Sequence, residues 1–312
     1  MNILLSCNLS IALSNCKLFC SIEATTTLTH RAIKRSHTVG LIVPTITNPI
    51  FSESTRGVQD FANEKGYHVI LGNSDYEYEK ESTLIDVFRE RQVDGLIITT
   101  TDLKGSALKN LLDDEFPFVL LYSSVKQGPM SCVGVDNFRG GYLATRHLVD
   151  LNHRRIGMLA GEFNFSDRSF NRWCGYKKCL KDHGILYDAD LLVQTSYRLM
   201  GGKEGFKKLF SLEKLPTAVF CSNDILAIGA IDGARQLGLR VPQDVSIIGF
   251  DDMQISSFIS PTLSTITQAT YEMGRLGAEV LINRIEDKHQ KPVHKFLDIK
   301  LVVRESTSRI GP

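Results

Sequence analysis

The stretch VGLIVPTITNPIF, Val39 to Phe51, sets the reading of the whole chain. Its apolar run, Val39 to Val43, stops at Pro44, and a polar loop with Asn48, Pro49 and Phe51 leads into a helical pattern. A short unbroken apolar run followed by an amphipathic helix reads as a buried strand of a parallel sheet emptying into a crossover. In open parallel sheets ligands sit beyond the carboxyl ends of the strands, so Asn48 and Phe51 stand where a ligand would be. For this segment alone, plain core packing of Phe51 is the stronger alternative. The other strands decide between them.

Working outward, the same beat returns along the chain. Apolar runs at His68–Leu71, Val93–Ile98, Phe118–Leu121, Cys132–Val135, Ile156–Leu159, Ala218–Cys221 and Val245–Phe250 read as strands. Helical spacing falls between most of them, at Glu53–Gly66, Glu77–Gln92, Leu103–Asp113, Gly140–Leu151, Arg168–His183, Lys203–Phe210 and Ile225–Leu237. Helix Tyr271–Ile285 and closing strands at Phe296–Val303 finish the chain. Strand and helix in alternation indicate an α/β fold with doubly wound parallel sheets. Eight or so such units exceed one sheet of usual size, which predicts two lobes with a ligand cleft between them. The first lobe is expected at 39–161 plus about 267–290, the second at 162–266 plus about 291–312. Residues 1–38 are left as an atypical tail and linker.

Composition narrows the chemistry. With 312 residues, 43% hydrophobic and 23% charged, the chain is long enough for two cores. A net charge of +1, from 36 basic and 35 acidic residues, gives no global pull towards nucleic acid. Seven cysteines with no repeated pair spacing argue against a disulfide framework and for a reducing, cytoplasmic setting. Cys16/Cys20 and Cys174/Cys179 lack the further His or Cys that a metal site requires. The start, MNILLSCNLSIALSNCKLFC, has no Lys or Arg before Lys17 and is broken by Asn2, Asn8 and Asn15. It therefore reads neither as an export signal nor as a membrane span.

Motifs for catalysis and phosphate binding are missing from the sequence. Gly201-Gly202-Lys203 lacks the upstream glycine and following hydroxyl of a P-loop, and Gly134 to Gly141 has the wrong spacing for a dinucleotide turn. No His-Glu-x-x-His or Gly-x-Ser-x-Gly occurs. A non-enzyme without cofactor or metal is the expectation.

Short hydrogen-bonding side chains collect instead at the strand ends: Asn73 and Asp75, Thr100 and Asp102, Asp136 and Asn137, Asn223 and Asp224, Asp251 and Asp252. Taken singly, each suits a turn or helix cap. Opening in one direction, they suit the hydroxyls of a sugar or the edge of a nucleoside. Phe51, Trp173 or Tyr197 would supply a flat apolar face, and Arg172 a rigid fork of donors.

These residues also carry a family resemblance. VGLIVPTITNPIF (39–51), VDGLIITT (93–100), PTAVFCSNDILAIGAIDGARQLGLRVPQDVSIIGFDD (216–252), SPTLSTITQATYEMGRLGAEVLINRI (260–285) and VVREST (302–307) together resemble the LacI/GalR family of bacterial transcription regulators. The resemblance spans about residues 36–307. It implies a core like the type I periplasmic sugar-binding proteins, two lobes closing on a small effector, a homodimer, and a role as a repressor controlled by that effector. Phe51, Asn73, Arg172, Asn223 and Asp251 match the family's effector contacts, with Tyr197 and Gln268 beside them. Thr100, Asp136 and Trp173 join the candidate site from the strand ends and from the neighbourhood of Arg172. Leu121 to Ser124 (LYSS) departs from the acidic-basic pair common in the family.

The resemblance further implies operator DNA as the partner of a complete family member, read by an N-terminal helix-turn-helix. Here HRAIKRSHT (30–38) matches only the end of the family's linker. The expectation is a chain lacking its own DNA-binding domain. A periplasmic sugar-binding protein of a transport system is the alternative on the same fold, and an export signal would favour it. The identity of the effector, the target operon, and the choice between inducer and corepressor lie beyond what the residues specify.

Overall fold

The run read from Val39 forms β1 (Thr38–Val43). In the computed structural model of this chain, which describes residues 35–311 apart from residue 288, β1 lies inside a six-stranded sheet. Its neighbours are β2 (His68–Asn73) and β3 (Gly95–Ile98), followed outward by β4 (Phe118–Leu121), β5 (Ser131–Val135) and, at the far edge, β11 (His294–Leu297). All five pairings are parallel. Val39, Leu41, Ile42 and Val43 are fully buried, as befits a strand covered on both faces. The crossovers are α1 (Pro49–Glu64), α2 (Tyr78–Glu90) and α3 (Ser106–Asp113).

A second parallel sheet runs β7 (Leu192–Thr195), β6 (Ile156–Gly161), β8 (Ala218–Cys221), β9 (Ser246–Ile248). Around it lie α4 (Asn137–Asp150), α5 (Asp167–Asp182), α6 (Leu199–Leu209) and α7 (Asp224–Gln236). Helix α8 (Thr270–Glu286) returns to the first sheet and packs along α1. A short antiparallel pair, β10 (Thr265–Gln268) with β12 (Ile299–Val302), lies where the chain passes between the lobes.

The expected lobe limits need two corrections. The first lobe does not run to 161: β6 sits inside the second sheet, and α4 packs on α5, so the first passage falls at Asp136–Asn137. Nor does the second lobe resume at about 291, because β11 pairs with β5 and completes the first sheet. Periodicity reveals a strand but not the sheet it joins, since that depends on non-local pairing. The strand β7 also escaped the sequence reading. Its LVQT carries only one fully buried residue, too weak a pattern to stand out.

Three helix pairs meet through reciprocal glycines. A Cβ on Gly57 of α1 would lie 2.1 Å from the Tyr271 carbonyl oxygen, and one on Gly274 of α8 2.0 Å from that of Ser54. Gly141 of α4 and Gly175 of α5 stand in the same relation, 2.0 Å from the carbonyls of Arg172 and Phe138 respectively. Gly202 of α6 and Gly229 of α7 repeat it against Leu226 and Leu199, at 2.2 and 2.1 Å. Backbones this close leave no room for a side chain.

Expectations for the tail and for the operator-reading segment fall on residues 1–34 and lie outside the described residues. Among the described residues no helix is long and apolar enough to cross a membrane, and no cluster of His, Cys, Asp or Glu has the arrangement of a metal site.

Candidate functional site

The carboxyl ends of both sheets converge on one small space of about 20 Å³. That is room for about one water molecule. The first lobe contributes Asn48, Ile50 and Phe51 from the start of α1, Tyr76 after β2 and Tyr122 after β4. Asn48 caps α1 by accepting from the Ile50 amide at 3.2 Å. This turns the chain so that Phe51, 2% exposed, faces inward and meets the Tyr122 ring edge-on at 5.3 Å. The Tyr122 hydroxyl donates to the Ile50 carbonyl at 3.0 Å and locks the wall.

The second lobe contributes charge. Arg168 and Arg172 lie four residues apart on α5, hence on one face, and both reach the cavity. Arg172 is fully engaged: Nε donates to Asn137 Oδ1 at 2.9 Å, Nη1 donates to the Ser222 carbonyl, and the guanidinium lies 3.5 Å over the Phe250 ring. Asp251 Oδ1 accepts from Gln268 Nε2 at 2.6 Å and stands 3.7 Å from Arg172 Nη1. Asn223 caps α7, accepting from the Leu226 amide at 2.9 Å. Tyr197 bonds the hydroxyls of Ser169 and Ser166 and stacks on Tyr76 from the opposite lobe, ring centroids 5.3 Å apart. Burial pushes the Asp251 carboxyl up to about 8 despite the attraction of Arg172.

Four buried polar atoms on this wall have no hydrogen-bond partner: Arg168 Nη1 and Nη2, Asp251 Oδ2 and Gln268 Oε1. The Asp167 carboxylate stands 3.8 Å from Arg168 Nη1, too far to accept a hydrogen bond. Buried polar groups are nearly always paired, and each left unpaired costs about 1–3 kcal/mol. The Arg168 donors, the Gln268 acceptor and the Asp251 carboxyl, held unpaired in one spot, form a template for a ligand with hydroxyls, which both donate and accept. Three of the lining residues, Tyr76, Tyr122 and Asp251, also hold positive φ, at 61°, 64° and 125°. Such strain, about 1–3 kcal/mol per residue, gathers where function demands it.

Of the ten residues singled out from the sequence, Phe51, Arg172, Tyr197, Asn223, Asp251 and Gln268 come together here. The other four do not. Asn73 accepts from the Ile46 amide at 3.1 Å and donates to Asp75 at 2.6 Å, shaping the loop outside the cavity. Thr100 donates to the buried Glu81 at 2.5 Å. Asp136 caps α4 and pairs with Lys126 at 2.9 Å. Trp173 packs among Phe163, Phe170 and Tyr187, with Lys177 over its ring. Neighbours along a helix point about 100° apart, so Trp173 cannot share the direction of Arg172. Arg168, Tyr76 and Tyr122 are the contributors the sequence reading passed over. The four-residue step from Arg168 to Arg172 was the signal for the first of them.

The comparisons with known proteins bear on the same architecture. Residues 145–307 match the periplasmic binding protein-like domain family. The HTH-type transcriptional regulator DegA of Bacillus subtilis (strain 168) is 33% identical over 281 residues, 89% of this chain and 83% of that protein. The chain belongs to the LacI/GalR family of transcriptional regulators.

The HTH-type transcriptional repressor CytR of Escherichia coli (strain K12) is also 33% identical, over 89% of this chain and 82% of its own. Among solved structures, a LacI family transcriptional regulator from Enterococcus faecium with bound ribose superposes with a TM-score of 0.79 at 34% identity, covering 88% of this chain and all of that one. The regulator CelR in complex with cellobiose gives 0.80 at 27% identity, covering 91% of this chain and 88% of that one. These relatives of the LacI-family core are regulators, not enzymes.

Proposed function

We propose that this LacI-family core senses a small hydroxyl-rich effector, sugar-like or nucleoside-like, bound at the meeting of the two lobes, and so controls operator occupancy by a cytoplasmic homodimeric repressor. The unpaired quartet of Arg168, Asp251 and Gln268 atoms carries the reading. A ligand that satisfies these groups only when the lobes close has different affinities for the open and closed forms, and that difference is all that can shift a DNA-competent population. The sugars named with two neighbouring structures support the ligand class.

A thermal-shift screen of this chain against pentoses, hexoses, sugar phosphates and nucleosides tests the reading. An effector at about a hundred times its Kd adds about 2.7 kcal/mol of stability. Arg168→Met separates a ligand contact from a structural one. It removes a buried cation whose terminal nitrogens make no hydrogen bond and whose nearest carboxylate, Asp167, stands 3.8 Å away, so the ligand-free chain melts no lower than wild type while the effector-induced shift disappears. A variant that melts lower without effector and keeps its full shift with effector would sink the assignment.

A further inference from the structure

Outside the paired rings of Tyr76 and Tyr197 lies a second, far larger space of about 710 Å³. Both tyrosines line both spaces, so the stacked pair forms the partition between them. A volume of this size falls within the range of small-molecule sites, about 300–1,000 Å³. Its walls come from both lobes: Pro44, Thr45, Thr47 and residues 75–79 from the first, Glu162, Phe165 and residues 195–198 from the second.

Two features of the wall point to an occupant. Phe165 is 43% exposed, aromatic surface left open to solvent at a concave site, and Tyr78, half-buried with its hydroxyl held by Ser106 at 2.9 Å, lines the same space. An exposed ring in such a place suits the flat C–H face of a pyranose or furanose. Around it stand the carboxylates of Asp75, Glu77, Glu79 and Glu162 against the single cation Arg198. Lys80 bonds Asp75 at 2.8 Å and Glu77 at 3.0 Å, but among the described residues Glu79 and Glu162 have no side-chain partner. Free carboxylates accept hydroxyl protons strongly and repel phosphate.

Resting on the effector reading, we propose that this vestibule is a second sugar subsite, and that the effector is a neutral oligosaccharide or glycoside. Its terminal ring occupies the inner site and its next unit lies on Phe165 between the free carboxylates. Sugar phosphates are excluded by the charge at the mouth.

Calorimetric titration of the full chain tests this with glucose, galactose and xylose, their α- and β-1,4-linked di- and trisaccharides, and glucose 6-phosphate. At least one di- or trisaccharide binds about tenfold or more tighter than its monomer, and the phosphate does not bind. Phe165→Ala, an exposed change, weakens the longer sugar about three- to tenfold and leaves the monomer unchanged. If monomers bind and no longer sugar binds tighter, or if Phe165→Ala weakens both alike, the vestibule assignment fails and the inner effector site stands. If no sugar of the panel binds, the oligosaccharide assignment fails, and the inner-site reading stands only if a nucleoside or other pentose stabilises the chain in the thermal-shift screen.

Discussion

Asp251 shows how one residue ties stability to sensing. Its carboxyl, at 3.8 in an ordinary setting, is pushed up to about 8 by burial. The folded chain therefore keeps a proton that the unfolded chain has lost. The associated stability is fully present below about 4 and is lost as pH rises to about 8. Burial raises Asp224 and Glu81 in the same sense, while His147 and His153, lowered by burial, act oppositely at the acid end. Calorimetric melting of ligand-free Asp251→Asn from pH 4 to 8 is expected to show a flatter fall than wild type, with the greatest relative gain near pH 8. An unchanged slope would mean the Asp251 proton is not linked to folding. At this scale strand-exit position and side-chain type pointed to Phe51, Asn223 and Asp251, while Arg172, inside a helix, and Gln268 were matched through the family resemblance. The sequence misled at Trp173 and Thr100, where direction depends on rotation about a helix and on a partner, Glu81, nineteen residues away.

Helix-on-helix contact is where element and site meet. Gly141 leaves no room for a Cβ against the Arg172 backbone, so α4 sets how far the arginine reaches into the cavity. Gly141→Ala is expected to destabilise the fold by about 1–3 kcal/mol, as overpacking does, and to weaken the effector as well. Gly274→Ala, which meets Ser54 on the other lobe, provides the control. It costs comparable stability by denaturant titration, with a smaller loss of effector affinity once both are measured on the folded protein. Equal loss of affinity in the two variants would disprove a local link between α4 and Arg172. The helices themselves were legible from apolar spacing to within a few residues, Arg168–His183 against Asp167–Asp182 for example. The glycine pairing was not, because spacing in one helix says nothing of which glycine faces it in another.

At the scale of the molecule, an inner space of about 20 Å³ cannot take even one sugar ring without the lobes parting. The Tyr76–Tyr197 stack must separate for entry, so Tyr76→Ala is expected to raise both association and dissociation rates several-fold in stopped-flow binding, with a modest change in Kd. A change confined to dissociation would make Tyr76 a contact and not a barrier. The two-sheet fold was readable from the alternation beginning at Val39; the lobe to which each late strand belongs was not, as β6 and β11 show. The chain passes between sheets after β5, again between β10 and α8, and again between β11 and β12. Neither lobe is thus a continuous length of gene. A single recombination between two relatives yields a lobe whose last helix or edge strand comes from the other parent. Trading sensing halves between regulators therefore requires several breakpoints, and specificity is more readily altered by point changes along the cavity wall.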